Sequence, residues 1–119
     1  MNKLPKRGEV WGIQLGSGWG HEQSAARYCL IIAHDELNEN YKYFGVVIVI
    51  PTTSKGLDKP HPFRVRVAAG EANLPQATAF MCDQILRIDP EARLGQCVGR
   101  VSSITLHRVE EIVRNLLDL

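Results

Sequence analysis

The chain has 119 residues, 14 of them Lys or Arg and 13 Asp or Glu, for a net charge of +1. That length fits one domain whose folding buries about two-thirds of the unfolded surface. The near balance of charge excludes a protein that grips nucleic acid indiscriminately through bulk positive potential, so any nucleic-acid contact must be local.

Residues 1–119 read as a single domain, with 1–6 a flexible basic arm. No apolar stretch of signal-peptide length follows Arg7. The longest aliphatic run, Val46 to Ile50, is far too short to span a bilayer. The expectation is a cytoplasmic protein with no membrane contact. Cys29, Cys82 and Cys97 form no C-x-x-C pair and lie among apolar or small residues, which predicts buried thiols in a reducing compartment.

Val10, Trp11, Ile13 and Leu15 predict a first strand over Gly8 to Leu15, and Gly16, Gly18 and Gly20 predict a mobile loop after it. Tyr28 to Ala33 predicts a second strand. Val46 to Ile50, richest in β-branched residues, predicts a third, and both read as central. Between them, Asp35 to Asn40 predicts a helical turn capped by Asp35, with asparagines at its exit.

Gly56, Pro60 and Pro62 predict a loop from Ser54 to Pro62. Phe63, Val65 and Val67 then alternate with Arg64 and Arg66, the pattern of a half-exposed strand with a basic outer face. After a turn at Gly70 to Pro75, Ala77 to Ile88 predicts one further strand, bent in its course. Asp89 to Ala92 predicts the first turn of a short helix, and Gln96 to Val101 a short strand. Ser102 is the expected N-cap of a final helix with Leu106, Val109, Val113, Leu116 and Leu117 on one face and Glu110 paired with Arg114. Many short strands and one terminal helix predict a compact, mainly β fold, a half-open β-barrel carrying a helix on one side.

Two polar clusters adjoin the central strands. Gly16 to Arg27 leads into the second, and Pro51-Thr52-Thr53-Ser54-Lys55 follows the third. If those strands are neighbours, a guanidinium, several hydroxyls and an imidazole converge on one rim. Such a set handles phosphate without a metal, because arginine presents a fixed fork of charged donors and hydroxyls add short, orientable bonds. RNA is the substrate class this suggests. Other motifs fail: His21-Glu22 has Ala25 where a zinc-protease helix needs histidine, and Gly16-x-Gly18 meets His21 where a dinucleotide fingerprint needs glycine. No cofactor and no metal are expected.

Arg7-Gly8-Glu9-Val10-Trp11, Gly20-His21-Glu22-Gln23, Arg27, Val49-Ile50-Pro51-Thr52-Thr53-Ser54, Asp83-Gln84-Ile85 and Ile88-Asp89 follow one another in an order and spacing that resemble the MazF/PemK family of toxin endoribonucleases. The resemblance runs from about Lys6 to the carboxyl terminus. It implies a small SH3-like half-open barrel of the CcdB/PemK type that forms a homodimer. It also implies metal-independent, sequence-selective cleavage of single-stranded RNA such as mRNA, and a cognate antitoxin that holds the toxin inactive. Carried over, Arg27 and Thr53 are the first catalytic choices, and His21, Gln23, Ser54 and Asp83 match positions lining the RNA groove. Glu22, Lys55 and Gln84 join the expected RNA contacts, and Trp19 and Tyr28 could stack on unpaired bases. Two positions depart from the family: Tyr28 stands where proline is usual, and Met81 where some members carry an arginine, which shifts weight onto Arg27.

Metal-free cleavage uses the substrate's own 2′-hydroxyl as nucleophile and leaves a 2′,3′-cyclic phosphate and a 5′-hydroxyl. Arg27 would oppose charge growing on the phosphoryl oxygens and could protonate the leaving oxygen. Thr53 and Ser54 would hold the phosphate. His21, whose ring titrates near physiological pH, and Asp83 are the two candidate bases. Two rivals stay open: a non-catalytic, CcdB-like toxin docking on a protein such as DNA gyrase, and a decayed paralogue that binds RNA or antitoxin without cutting.

Overall fold

A computed structural model of the protein describes residues 3–16 and 27–119. Among these described residues, seven strands form one antiparallel, open sheet: β1 (Glu9–Ile13), β2 (Tyr28–Ile31), β3 (Val47–Thr53), β4 (Arg64–Val67), β5 (Thr78–Met81), β6 (Leu86–Ile88) and β7 (Leu94–Arg100). Their order is β4-β5-β3-β2-β1-β7, and β6 pairs with the first half of β3. Four helices accompany them among the described residues: α1 (Asp35–Glu39), α2 (Tyr41–Phe44), α3 (Pro90–Arg93) and α4 (Ser103–Leu116). None of these helices is long and apolar enough to cross a membrane.

The centre of the sheet is buried on both faces, which explains why β2 and β3 read as near-continuous apolar runs rather than alternating ones. Val10, Leu30 and Ile50 sit side by side in register on one face. They join Val65, Phe80 and Val109 in one core, against which Leu106, Ile112 and Val113 of α4 pack. Trp11, Cys29, Ile31 and Val49 point the other way into a second core with Tyr41 and Ile88. The long β3 serves both halves: β2 runs along one edge, and β6 then β5 share the other.

The expected half-open architecture with a terminal helix is present, and Ser102 caps α4 as the sequence indicates, its hydroxyl accepting from the Thr105 N–H at 3.1 Å. Several details differ. The run Ala77 to Ile88 is not one strand but β5 and β6, separated by a 3₁₀ turn at Cys82–Gln84. β3 continues through Pro51 to Thr53, so the two threonines belong to a strand rather than a loop. His34, not Asp35, caps α1: its Nδ1 accepts from the Glu36 N–H at 3.0 Å, while the Asp35 carboxylate accepts from the Arg7 N–H at 2.7 Å. Glu110 pairs with Arg7 at 2.6 Å instead of Arg114, joining the last helix to the turn that leads into the first strand. Residues 3–6 meet the sheet: Pro5 is buried, and the Lys3 ammonium lies 2.6 Å from the Glu9 carboxylate. Cys29 and Cys82 are buried, and burial pushes both thiols up, that of Cys82 to about 12. Cys97 is only half-buried, with Lys3 Nζ 3.6 Å from its sulfur.

Candidate functional site

Strand register builds the site. Gly12 pairs with Tyr28 across β1 and β2, and Cys29 with Pro51 across β2 and β3. Continued outward, the same registers set Arg27 between Ile13 and Thr53, and the Ile13 N–H donates to the Arg27 carbonyl at 2.9 Å. Alternation then directs the Arg27 and Thr53 side chains to the same face, the one occupied further in by Cys29 and Pro51. Both border a cavity of about 810 Å³ at this end of the sheet, with Tyr28, Ser54 and Lys55 beside them.

The cavity is open because glycines line part of it. Gly12, Gly16 and Gly95 contribute no side chains, and a Cβ on Gly95 would stand 3.7 Å from the Gly12 carbonyl oxygen. Arg93 anchors the rim by donating from Nη1 to the Leu15 carbonyl at 2.9 Å.

Two adjacent threonines divide the labour. Thr52, also part of the lining, is buried and donates to the Tyr28 carbonyl at 3.0 Å, which fastens β3 to β2 at the cavity. Thr53 Oγ1 accepts from the Lys55 N–H at 3.2 Å, an arrangement that orients the hydroxyl while leaving its proton to donate. Among the described lining residues the charged side chains are Arg27 and Lys55, and no carboxylate opposes them. Arg27 is exposed and makes no ion pair among the described residues. Two cations and several hydroxyls around one volume can hold a phosphodiester and oppose added negative charge on it.

Of the residues singled out in the sequence, Arg27, Tyr28, Thr53, Ser54 and Lys55 come together. Asp83 and Gln84 do not line the cavity. β5 runs antiparallel to β3 with Ala79 opposite Thr53, so the residues before β5 approach the cavity and those after Met81 move away from it. Asp83 sits exposed in the 3₁₀ turn that follows. Trp19, His21, Glu22 and Gln23 fall outside the described residues. The same antiparallel course brings in residues that sequence reading missed, Gln76 and Thr78 from β5 and the turn before it, while Gln14 enters from the end of β1. Nothing in their local pattern marks them, since each looks like an ordinary polar residue beside a strand.

The family model described as "PemK-like, MazF-like toxin of type II toxin-antitoxin system" matches residues 6–117. The chain belongs to this family. It is 32% identical over 118 residues to Endoribonuclease MazF9 of Mycobacterium tuberculosis, a match covering 98% of each chain. It is 29% identical over 104 residues to Endoribonuclease PemK of Escherichia coli, covering 87% of this chain and 75% of that one. Among solved structures, MazF of Deinococcus radiodurans superposes with a TM-score of 0.80 at 20% identity, covering 98% of this chain and 99% of the other. A mycobacterial endoribonuclease in complex with its cognate antitoxin superposes at 0.72 with 22% identity, covering 97% and 96%. The fold is therefore MazF-like.

Proposed function

We propose that the protein is a metal-independent endoribonuclease toxin that cuts single-stranded RNA at the Arg27–Thr53 cavity. The observation that carries this reading is the convergence of a guanidinium, an oriented hydroxyl and Lys55 on one cavity whose described lining holds no opposing carboxylate. Full-length similarity to a curated endoribonuclease supports the same reading. The family match and the cavity together favour it over a CcdB-like docking toxin.

In the proposed reaction the 2′-oxygen attacks phosphorus as its proton passes to a base. The bond to the 5′-oxygen breaks, and that oxygen takes up a proton, leaving a 2′,3′-cyclic phosphate and a 5′-hydroxyl. Arg27 and Lys55 stabilise the charge that builds on the phosphoryl oxygens, and the Thr53 and Ser54 hydroxyls fix the phosphate. Of the two candidate bases, Asp83 lies away from the cavity lining, so His21 is the one to test first. We further propose a single cytoplasmic domain that acts as a homodimer and is neutralised by a cognate antitoxin. The antitoxin complex of a structural relative supports that last part.

Incubation of the purified chain with single-stranded RNA in EDTA tests the proposal. Cleavage with cyclic-phosphate ends is expected, reduced by Arg27→Ala and by Thr53→Ala. Absence of cutting by the wild type, or undiminished cutting by both variants, removes it.

A further inference from the structure

Gln14 and Gln76 both line the cavity, and neither has a part in the chemistry above. The strand order β1-β2-β3-β5 places Gln14 at the end of the first of these and Gln76 just before the last. Three strand spacings of about 4.8 Å put β1 and β5 roughly 14 Å apart along the sheet, with β2 and β3, at whose ends Arg27 and Thr53 sit, between them.

A carboxamide carries both a donor and an acceptor in one plane, so besides donating to a phosphate oxygen it can pair with a base edge through two bonds at once. Among the described lining residues the other polar side chains are cations or hydroxyls, and Arg27, Thr53, Ser54 and Lys55 are already assigned to the phosphate above. Both glutamines are exposed, and their main chains are fixed. Thr78, itself buried, donates from its hydroxyl to the Gln76 carbonyl at 2.9 Å, and the Gln14 N–H donates to the Arg93 carbonyl at 2.9 Å. We infer that Gln14 and Gln76 are specificity-determining residues that read bases on opposite sides of the cleaved phosphodiester. This inference rests on the nuclease reading and adds to it where sequence selectivity resides. The unpaired bases of a single strand expose their Watson–Crick edges to such amides.

The test digests a randomised single-stranded RNA library with the full chain and sequences the fragment ends to obtain base preference at each position around the cut. Gln76→Ala is expected to lower discrimination at one position on one side of the cut by about 5- to 150-fold, the equivalent of one lost bidentate base contact. Gln14→Ala should do the same at a position on the other side. Thr78→Val, which releases the Gln76 carbonyl, should blur the Gln76 position and no other. Gln76→Glu, an acceptor only, should move the preference there toward a base that offers a donor.

Unchanged preferences in both alanine variants, a uniform loss at all sites with preferences intact, or both variants altering the same position would each overturn the inference. A wild type that cuts with preferences indifferent to these residues sinks this inference alone. A wild type that cuts no RNA sinks the nuclease reading beneath it.

Discussion

Two arginines mark opposite ends of the β1–β2 pair and do opposite things. Arg7 is engaged by the protein: its backbone N–H donates to Asp35, its Nε to the Ile32 carbonyl at 3.2 Å, and its Nη2 lies 2.6 Å from the Glu110 carboxylate. It thereby ties α1 and α4 to the sheet. Glu9 completes this end, 5% exposed and held by Lys3, the Lys6 N–H at 2.8 Å and the Trp11 indole at 3.2 Å. Arg27 at the other end is exposed beside a cavity of about 810 Å³ among hydroxyls. A guanidinium whose donors are taken up by protein acceptors is a fastener. One whose donors face a polar cavity is placed to take a ligand's oxygens. The Arg7-Gly8-Glu9-Val10-Trp11 motif therefore serves the fold, and the residues around Arg27 serve the proposed chemistry.

Substitutions can break or sharpen that contrast. The largest effect is expected at Arg27: alanine should cost about 10²- to 10³-fold in RNA cleavage, the range for one lost transition-state charge donor. Thermal unfolding should barely change, and a substantial fall in melting temperature would mean that Arg27 fastens the fold as Arg7 does. Next comes Gly99→Ala at the fastened end, where a new Cβ would sit 2.2 Å from the Ala72 carbonyl oxygen. The backbone must move, and a destabilisation of roughly 1–3 kcal/mol is expected in denaturant melts.

Arg7→Ala should cost roughly 1–2 kcal/mol of stability through its lost side-chain contacts, while cleavage per folded molecule is retained. A selective loss of cleavage there would dissolve the distinction between the two ends.

The smallest effect is in acid. The Arg7 N–H, aided by Asn38, holds the Asp35 carboxyl below its ordinary 3.8. Burial alone would raise Glu9, but the Lys3 ammonium, the Lys6 N–H and the Trp11 indole outweigh it and hold that carboxyl below 4.5. Because both are depressed in the folded state, their stabilisation is present above those ordinary values and is lost as pH falls through and below them. Melting temperature should decline from about pH 5 downward, and Glu9→Gln should make the decline shallower. An unchanged slope in that variant would remove Glu9 from the fastening set.

Local chemistry made much of this readable in advance. The β-branched run at Val46 to Ile50 and the cap at Ser102 announced a central strand and a terminal helix, because periodicity and capping depend on near neighbours alone. Asp83 shows where that information stops. Motif order singled it out as a site residue, but only the structure places it in the turn after β5, outside the described lining of the cavity that Thr53 borders. Gln76 shows the converse: an unmarked turn residue reaches the cavity because the same strand approaches from that side.

The amino-acid order by itself determined the class of fold, the central strands, the last helix and the pairing of Arg27 with Thr53 as the residues to watch. Only the tertiary structure decided that both border one cavity, that the Thr52 hydroxyl is taken up by the Tyr28 carbonyl, and that Gln14 and Gln76 join the described lining while Asp83 lies outside it. Residue types and short spacings encode propensity and chemistry, but which distant side chains share a space depends on strand register and direction, and those are fixed only when the two cores close on opposite faces of the sheet.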